Sequence, residues 1–306
     1  MFKIGVVDLD TSHPVAWVPK INAYGDMKVV AVWDSGAVNP RSYVEEFAQK
    51  NGIETVVDSL PDMAPLVDAA IIHGVDWDVH VDKAIPFVEA KKPVLIDKPM
   101  VGKLRDIDRL LALHRKHPDV PIMGGSSLRF AREVATLKSQ MKEFGDVSCA
   151  FASGPGDFFS YGIHTVEMFQ GVLGTGVRYV QHLGSRGQSE LFEARYSDGT
   201  MVVYQLSAPV HEWFLTVSTS KGLKAITVDS SKIYDAIIER FHEMLCKGEA
   251  PLPLEQLLEA VKIQLAAQRA RKTGMAVYLD ELPYDDGFDG KAYTNQYRIN
   301  KWKGQY

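Results

Sequence analysis

Short, continuous apolar runs alternate with helical spacing through the first third of the chain. Ile4–Val7, Val29–Trp33, Ala69–Ile72 and Pro93–Ile96 predict strands, and Val15–Tyr24, Tyr43–Asn51, Val79–Ala90 and Ile107–His117 predict helices after them. Strands that are apolar without alternation are covered on both faces, and helical crossovers make neighbouring strands parallel. This part of the chain therefore predicts a doubly wound α/β domain. Asp119–Met123 predicts a further strand, and Gly124-Gly125 then breaks the pattern. That break places a boundary between a Rossmann-like domain over residues 1–123 and a second domain over 124–306.

Beyond a helix predicted over Ala131–Glu143, apolar and polar residues alternate in Arg178–Leu183, Glu190–Tyr196, Met201–Ser207 and Trp213–Thr219, with Asp198-Gly199 and Lys221-Gly222 as hairpin turns. Period two with short turns predicts an antiparallel meander with one face covered and one open to solvent or a partner. Two helices follow, Ile233–Cys246 and Leu254–Thr273, joined by the linker Gly248–Pro253. The tail, rich in Tyr, Asp, Gly and Asn, is expected to pack across another part of the protein. The fold class is α/β, with an N-terminal parallel Rossmann sheet and a C-terminal α+β domain whose open sheet is mainly antiparallel.

Composition narrows the function classes. A length of 306 residues suits two domains of roughly 150 each. With 46% hydrophobic and 24% charged residues, the chain is an ordinary globular protein. Acidic residues outnumber basic ones, 39 to 34, and no basic cluster occurs, which disfavours a nucleic-acid partner. Cys149 and Cys246 form no CxxC pair, so reduced thiols and a cytoplasmic location are expected. The N-terminus opens as a strand and not as a signal peptide, and no apolar run approaches the roughly 18 residues a membrane span needs. No membrane partner is expected.

In an open parallel sheet, ligands bind beyond the carboxyl ends of the strands. The first such loop is Asp8-Leu9-Asp10-Thr11-Ser12-His13-Pro14, where a dinucleotide-binding protein carries GxGxxG so that backbone can approach a pyrophosphate. Asp8, Asp10 and His13 stand in the glycine places, and two carboxylates repel a pyrophosphate. The second strand ends at Asp34, a carboxylate suited to ribose hydroxyls of NAD and repulsive to the extra phosphate of NADP. A lone Asp there also suits a turn or helix cap.

The third loop is His73-Gly74-Val75-Asp76-Trp77-Asp78-Val79-His80, and the fourth strand delivers Asp97-Lys98-Pro99. A strand, then Asp/Glu-Lys-Pro, then a helix resembles the signature of the Gfo/Idh/MocA family of sugar and polyol dehydrogenases. His80, eighteen positions before Lys98, is in that family's register. Gly125 to Arg129-Phe130 resembles its G-x-x-x-R-F segment, Gly162-Ile163-His164 its D-x-G-x-H helix, and the closing helices over Phe241–Gly248 and Leu254–Gly274 its C-terminal pattern. The resemblance covers nearly the whole chain. It implies hydride transfer between NAD(P) and a sugar, polyol or inositol-like substrate, with Lys98 on the reacting oxygen and His164 as acid/base. It also implies cofactor contacts at Asp10, Thr11, Ser12, Asp34, Val75, Trp77, His80 and Lys98, with NAD favoured over NADP. Substrate contacts are expected at Arg129, Asp157, Ser160 and Tyr161, and a homodimer or homotetramer through the C-terminal sheet.

Three departures from the family fall at the cofactor pocket. The loop glycines are Asp8, Asp10 and His13; the Thr-Pro-Asn beside the nicotinamide is Val75-Asp76-Trp77; and the aspartate four residues before the catalytic histidine is Ser160, for which Asp157 is a substitute. Those departures open a second function class, a protein of this fold that no longer uses NAD: a metal-dependent or cofactor-free lyase or isomerase on sugar-like substrates, or a non-catalytic ligand-binding protein. No metal signature is complete, so no metal is expected, and Asp8, Asp10 and His13, with His73 or Asp76, are the grouping that could hold one. Val6–Thr11 also resembles the first motif of haloacid-dehalogenase-like phosphatases, with Asp8 as nucleophile and Asp10 as acid beside Mg²⁺. That reading lacks its acidic metal motif, since Asp285-Asp286 lies in a polar tail.

Overall fold

A computed structural model describes residues 1–303. The chain divides into two compact units: Met1–Gly124 with Ile238–Leu254 and Asp289–Tyr306, and Gly125–Ile237 with Glu255–Phe288.

The first unit is built from β1 (Phe2–Val7), α1 (Ser12–Asn22), β2 (Met27–Trp33), α2 (Arg41–Asn51), β3 (Thr55–Val56), α3 (Leu60–Met63), β4 (Ala69–Ile72), α4 (His80–Glu89), β5 (Val94–Asp97), α5 (Leu104–Lys116) and β6 (Ile122–Gly125). Its strands form one sheet in the order β3-β2-β1-β4-β5-β6, and β1 pairs in parallel with both β2 and β4. The order reverses beside β1, so the ends of β1, β4 and β5 face the crevice in which Rossmann sheets take their ligands. Every residue of β4 and β5 is buried, as strands covered on both faces must be. Gly5 in β1 makes room for α3, because a Cβ there would lie 2.5 Å from Met63 Sδ.

Gly124 and Gly125 do not break the last strand; they belong to it. The reason is steric. A Cβ on Gly124 would stand 2.1 Å from the Ile96 carbonyl oxygen, a backbone atom that cannot step aside, so the close approach of β5 and β6 requires glycine.

The second unit holds α6 (Arg132–Phe144), β7 (Val147–Ser153), α7 (Gly162–Leu173), β8 (Val177–Arg186), β9 (Ser189–Tyr196), β10 (Met201–Leu206), β11 (Phe214–Thr219) and β12 (Gly222–Thr227). Then come α8 (Ile233–Lys247), which runs into the first unit at Ile238, α9 (Leu254–Thr273) and β13 (Val277–Tyr278). The seven-stranded sheet has the order β12-β11-β7-β10-β9-β8-β13. It is mainly antiparallel but not a simple meander, since β7 enters between β11 and β10 and pairs in parallel with β10. Alternate residues of β10, and of β9 from Phe192 to Tyr196, are buried, and α7 is buried from Gly162 to Val172.

The tail expected to pack elsewhere forms α10 (Gly290–Trp302), capped by the Asp289 side chain, and it joins the first unit. No helix among the described residues is long and apolar enough to cross a membrane.

Candidate functional site

β1 runs into Asp8, which takes the left-handed φ of 64° that glycine adopts without strain. Its fully buried carboxylate forms an ion pair with Lys83 of α4 and accepts the Ser35 N–H at 3.0 Å. Gly74, after β4, lies against this pair: a Cβ there would be 2.7 Å from Asp8 Oδ2. The glycine-like backbone is kept, and an ion pair has been built beneath it.

Asp10 ties two loops together. Its Oδ2 accepts the Val75 N–H at 2.9 Å, joining the loop after β1 to the loop after β4, and its Oδ1 is buried with no partner among the described residues. Burial, and then the charge of Asp8, raise its pKa from 3.8 to about 7. Asp34 accepts the Leu9 and Gly36 N–H groups, both at 2.8 Å, and burial raises its pKa. Lys301 of α10 donates to the Asp10 carbonyl and to Asn39 Oδ1, both at 2.9 Å, while Asn39 Nδ2 donates to the Leu9 carbonyl at 2.8 Å. At the other end of α10, the Tyr293 ring lies 4.8 Å from that of Trp77, and the Gly290 N–H donates to Asp78 at 3.1 Å. The helix therefore contacts the loops after β1, β2 and β4.

The raised pKa of Asp10 has a sign. Between about pH 4 and pH 7 the folded protein holds a proton that the unfolded chain has released, so this group's contribution to stability falls as pH rises through that window and stays low above it. Asn at this position keeps the oxygen that accepts from Val75 without the charge. Asp10→Asn is expected to stabilise the protein by up to a few kcal/mol at pH 8 and by little at pH 4.5. Thermal melts at the two pH values check this, and an unchanged or lower Tm at pH 8 would contradict it.

A dinucleotide in the Rossmann pose needs backbone approach at the β1 loop, free N–H groups at the start of α1 and a ribose-binding carboxylate after β2. Here the loop and the β4 loop are bridged by Asp10, with an unpartnered carboxyl oxygen where a pyrophosphate would bring like charge. Thr11 Oγ1 already accepts the His13 N–H, and Pro14 has none. Both oxygens of Asp34 already accept backbone N–H groups. These residues do not fit the pyrophosphate half of NAD(P).

Asp8, Asp10 and Asp34 converge, with Lys83 beside them, but His13 does not join that group. Its Nδ1 lies 2.5 Å from Asp97 Oδ2 at the end of β5, and the same oxygen meets His73 Nδ1 at 3.0 Å. His73 and Asp97 are buried, and 12% of the His13 side chain is exposed. The His13 ring stacks on Trp17 at 5.4 Å. Burial pushes the Asp97 carboxyl up, yet the two imidazoles hold it well below the usual range; His73 is pushed down by burial against the pull of Asp97. Asp97 Oδ1 accepts the N–H of Lys98, which is half-buried at the start of the next loop.

In the second unit, His164 lies in the first turn of α7 with Nδ1 2.5 Å from Ser126 Oγ, which also accepts the Leu128 N–H. Its ring is flanked by Tyr161 and Trp213. Ser126 thus meets one ring nitrogen of His164. Asp157 accepts the Phe159 and Ser160 N–H groups and shapes the turn into α7. It also lines a cavity of about 810 Å³ with Arg186, Gln188, Glu190 and Arg271, and Tyr161 is exposed.

Other expected contact residues are engaged within the protein. Arg129 is buried, with Nε on Glu167 at 2.8 Å and Nη2 on Gln170 at 3.0 Å, so its guanidinium is bonded to α7. His80 is buried between the Gly74 and Met100 carbonyls and links the β4 and β5 loops; burial lowers its pKa. Trp77 packs on Gly102, where any Cβ would overlap its ring. Thr11 caps α1, and Ser12 is its exposed first residue. Lys83 and Lys301 stand in no sequence motif and at no strand end, and Ser126 directly follows β6 at one of the unspecified positions of the G-x-x-x-R-F segment, so none of the three is marked by the sequence.

Residues 3–124 match the Gfo/Idh/MocA family model, described as an oxidoreductase family with an NAD-binding Rossmann fold. Trans-1,2-dihydrobenzene-1,2-diol dehydrogenase from Danio rerio is 30% identical over 118 residues, 37% of this chain and 34% of that protein. The matched segment spans less than half the length of the curated relatives. Scyllo-inositol dehydrogenase from Lactobacillus casei, solved with NAD(H) and scyllo-inositol, is similar at a TM-score of 0.81 and 16% identity, covering 92% of this chain and all of that one. Myo-inositol dehydrogenase from the same organism, solved with NAD(H) and myo-inositol, gives 0.80 at 16% identity, with coverages of 91% and 96%. Those likenesses carry the fold alone. Residues 3–124 thus carry the NAD-binding Rossmann domain described by the Gfo/Idh/MocA oxidoreductase family model, and the fold of the whole chain is that of the inositol dehydrogenases it resembles.

Proposed function

We propose that this chain is an enzyme that transfers protons on a sugar, polyol or inositol-like substrate without a bound dinucleotide, a lyase or isomerase on the family's scaffold. One observation carries the reading: Asp10 and Lys301 bridge the loops where a dinucleotide would lie, while Lys98 stays half-exposed at the end of β5. Beside a substrate carbonyl, a base takes a C–H proton and the electron pair moves onto the carbonyl oxygen. In this reading the Lys98 ammonium is the group assigned to that oxyanion, and His164, whose Nδ1 lies 2.5 Å from Ser126 Oγ, is the group assigned to proton transfer, each in its own unit. The proton returns to the neighbouring carbon in an isomerisation, or a hydroxyl leaves as water in an elimination. Asp157, Ser160 and Tyr161 are the proposed substrate contacts. Two or four copies are proposed to join through the outward face of the second sheet, where Leu183 and Leu223 are exposed.

A second reading is hydride transfer with NAD preferred over NADP. Asp34 at the end of β2 favours it, as do the neighbours solved with NAD(H), and it requires the Asp10 bridge to open. Incubating the protein with ketoses and inososes, which carry the carbonyl this step needs, in D₂O without nicotinamide separates the two. Loss of C–H signals by NMR is the expected result; conversion only on addition of NAD(P) would overturn the first reading in favour of the second.

A further inference from the structure

We propose that His13, His73 and Asp97 form a binding site for one divalent transition-metal ion. Three strand ends supply it: the loop after β1 brings His13, β4 leads into His73, and β5 ends in Asp97. These strands are neighbours in the sheet, so the three side chains meet at the carboxyl edge although they are far apart in sequence. One ligand atom from each, two imidazole nitrogens and a carboxylate oxygen, lie within 4.8 Å of one another.

The donor set selects the ion. Two imidazoles and one carboxylate suit Zn²⁺, Mn²⁺, Fe²⁺ or Co²⁺ and leave coordination positions open for water or substrate oxygen. Ligands about 2.1 Å from such an ion stand roughly 3.0–3.4 Å from each other. His73 and Asp97 already have that spacing at 3.0 Å, whereas His13, at 2.5 Å, has to swing out by about half an ångström or more. It is the ligand able to do so, because it is the one with exposed side-chain surface; His73 and Asp97 form the buried floor.

Contrast with the other acidic grouping sharpens the assignment. Asp8, Asp10 and Asp34 are also within reach of one another, but Lys83 already pairs with Asp8 Oδ2 and backbone N–H groups occupy every other oxygen of the group except Asp10 Oδ1. Around Asp97 Oδ2 there is no lysine or arginine contact among the described residues, only the two imidazoles.

The site lies next to Lys98 in sequence and so deepens the proton-transfer reading, resting on it for a role in catalysis: the ion would polarise a substrate oxygen as a Lewis acid. Binding itself is independent of that role. The test is calorimetric titration of chelator-treated protein with Zn²⁺ and with Mn²⁺, and absorbance spectra with Co²⁺, for the native chain and the His13→Ala and Asp97→Asn variants. One ion per chain, a metal-dependent rise in Tm, and affinity at least tenfold weaker in folded His13→Ala are expected. Asp97→Asn keeps the shape of the buried floor and covers the case in which one variant fails to fold. No uptake by folded native protein at millimolar metal, or equal uptake in both variants, would overturn the site. Proton exchange on substrates that persists with the chelator present would remove the ion and leave the Lys98 reading standing; metal uptake with no exchange on any substrate would do the reverse.

Discussion

Lys83→Met is expected to cost about 3–5 kcal/mol of folding stability, because it removes the partner of a fully buried carboxylate. The Asp8 side chain has no exposed surface and Lys83 only 9%, so water cannot take over the lost interaction. Asp8 would keep the Ser35 N–H as its donor and little else. The change should then be partly reversed in Lys83→Met with Asp8→Asn, where neither side chain is charged, and that double variant separates a charge effect from a packing effect. Urea denaturation at neutral pH measures both. A loss below about 1 kcal/mol in the single variant would mean that the pair does not anchor the β1 loop.

The Lys98→Ala variant is expected to lose proton exchange on its substrate by about 10²–10⁴-fold, the span that a positioned acid, base or oxyanion donor contributes. Lys98 is half-buried at a loop, and its backbone N–H bond to Asp97 survives the substitution, so the Tm should stay close to that of the native protein. Exchange rates by NMR, with melts on the same samples, check both halves. An unchanged rate would remove the lysine from the mechanism.

Much of the fold was legible because most of its strands and helices announce themselves locally. Ile4–Val7, Ala69–Ile72 and the helix Leu254–Thr273 follow from hydrophobic spacing alone. Strand β7 did not, since its place between β10 and β11 depends on partners about fifty to seventy residues away, and pairing across such a distance leaves no local pattern. Gly124 and Gly125 misled for a related reason. The steric cause is the Ile96 carbonyl on another strand for Gly124, and a φ of 90° against the Glu167 carboxylate for Gly125, while sequence alone offers only the common meaning of paired glycines, a break. Helix α10 has a mostly polar surface that its tyrosines and lysines share with loops, so its cap at Asp289 was the one usable signal.

At the site, the strand-end rule led to Asp8, Asp10, His13, Asp34 and Lys98, because topology fixes where a parallel sheet presents its chemistry. What it could not supply was who meets whom. His13 was grouped with Asp8 and Asp10 by nearness in sequence, while an α-helical start turns it to Asp97 on another strand. Arg129 sits in a family motif and so read as a substrate contact, although Glu167 and Gln170, one helical turn apart on α7, claim it. Family resemblance carries over the fold more safely than the role of each residue, since sites are rewritten on scaffolds that persist.

In the function we propose, the chain keeps the Rossmann scaffold and closes its dinucleotide crevice with Asp10 and Lys301. Calorimetric titration of the folded, cofactor-stripped protein with NAD, NADH, NADP and NADPH tests it most directly. No saturable heat is expected up to about 1 mM nucleotide, a binding free energy weaker than about −4 kcal/mol. Micromolar binding of NAD or NADH would contradict it and return the chain to the hydride-transfer chemistry of its relatives.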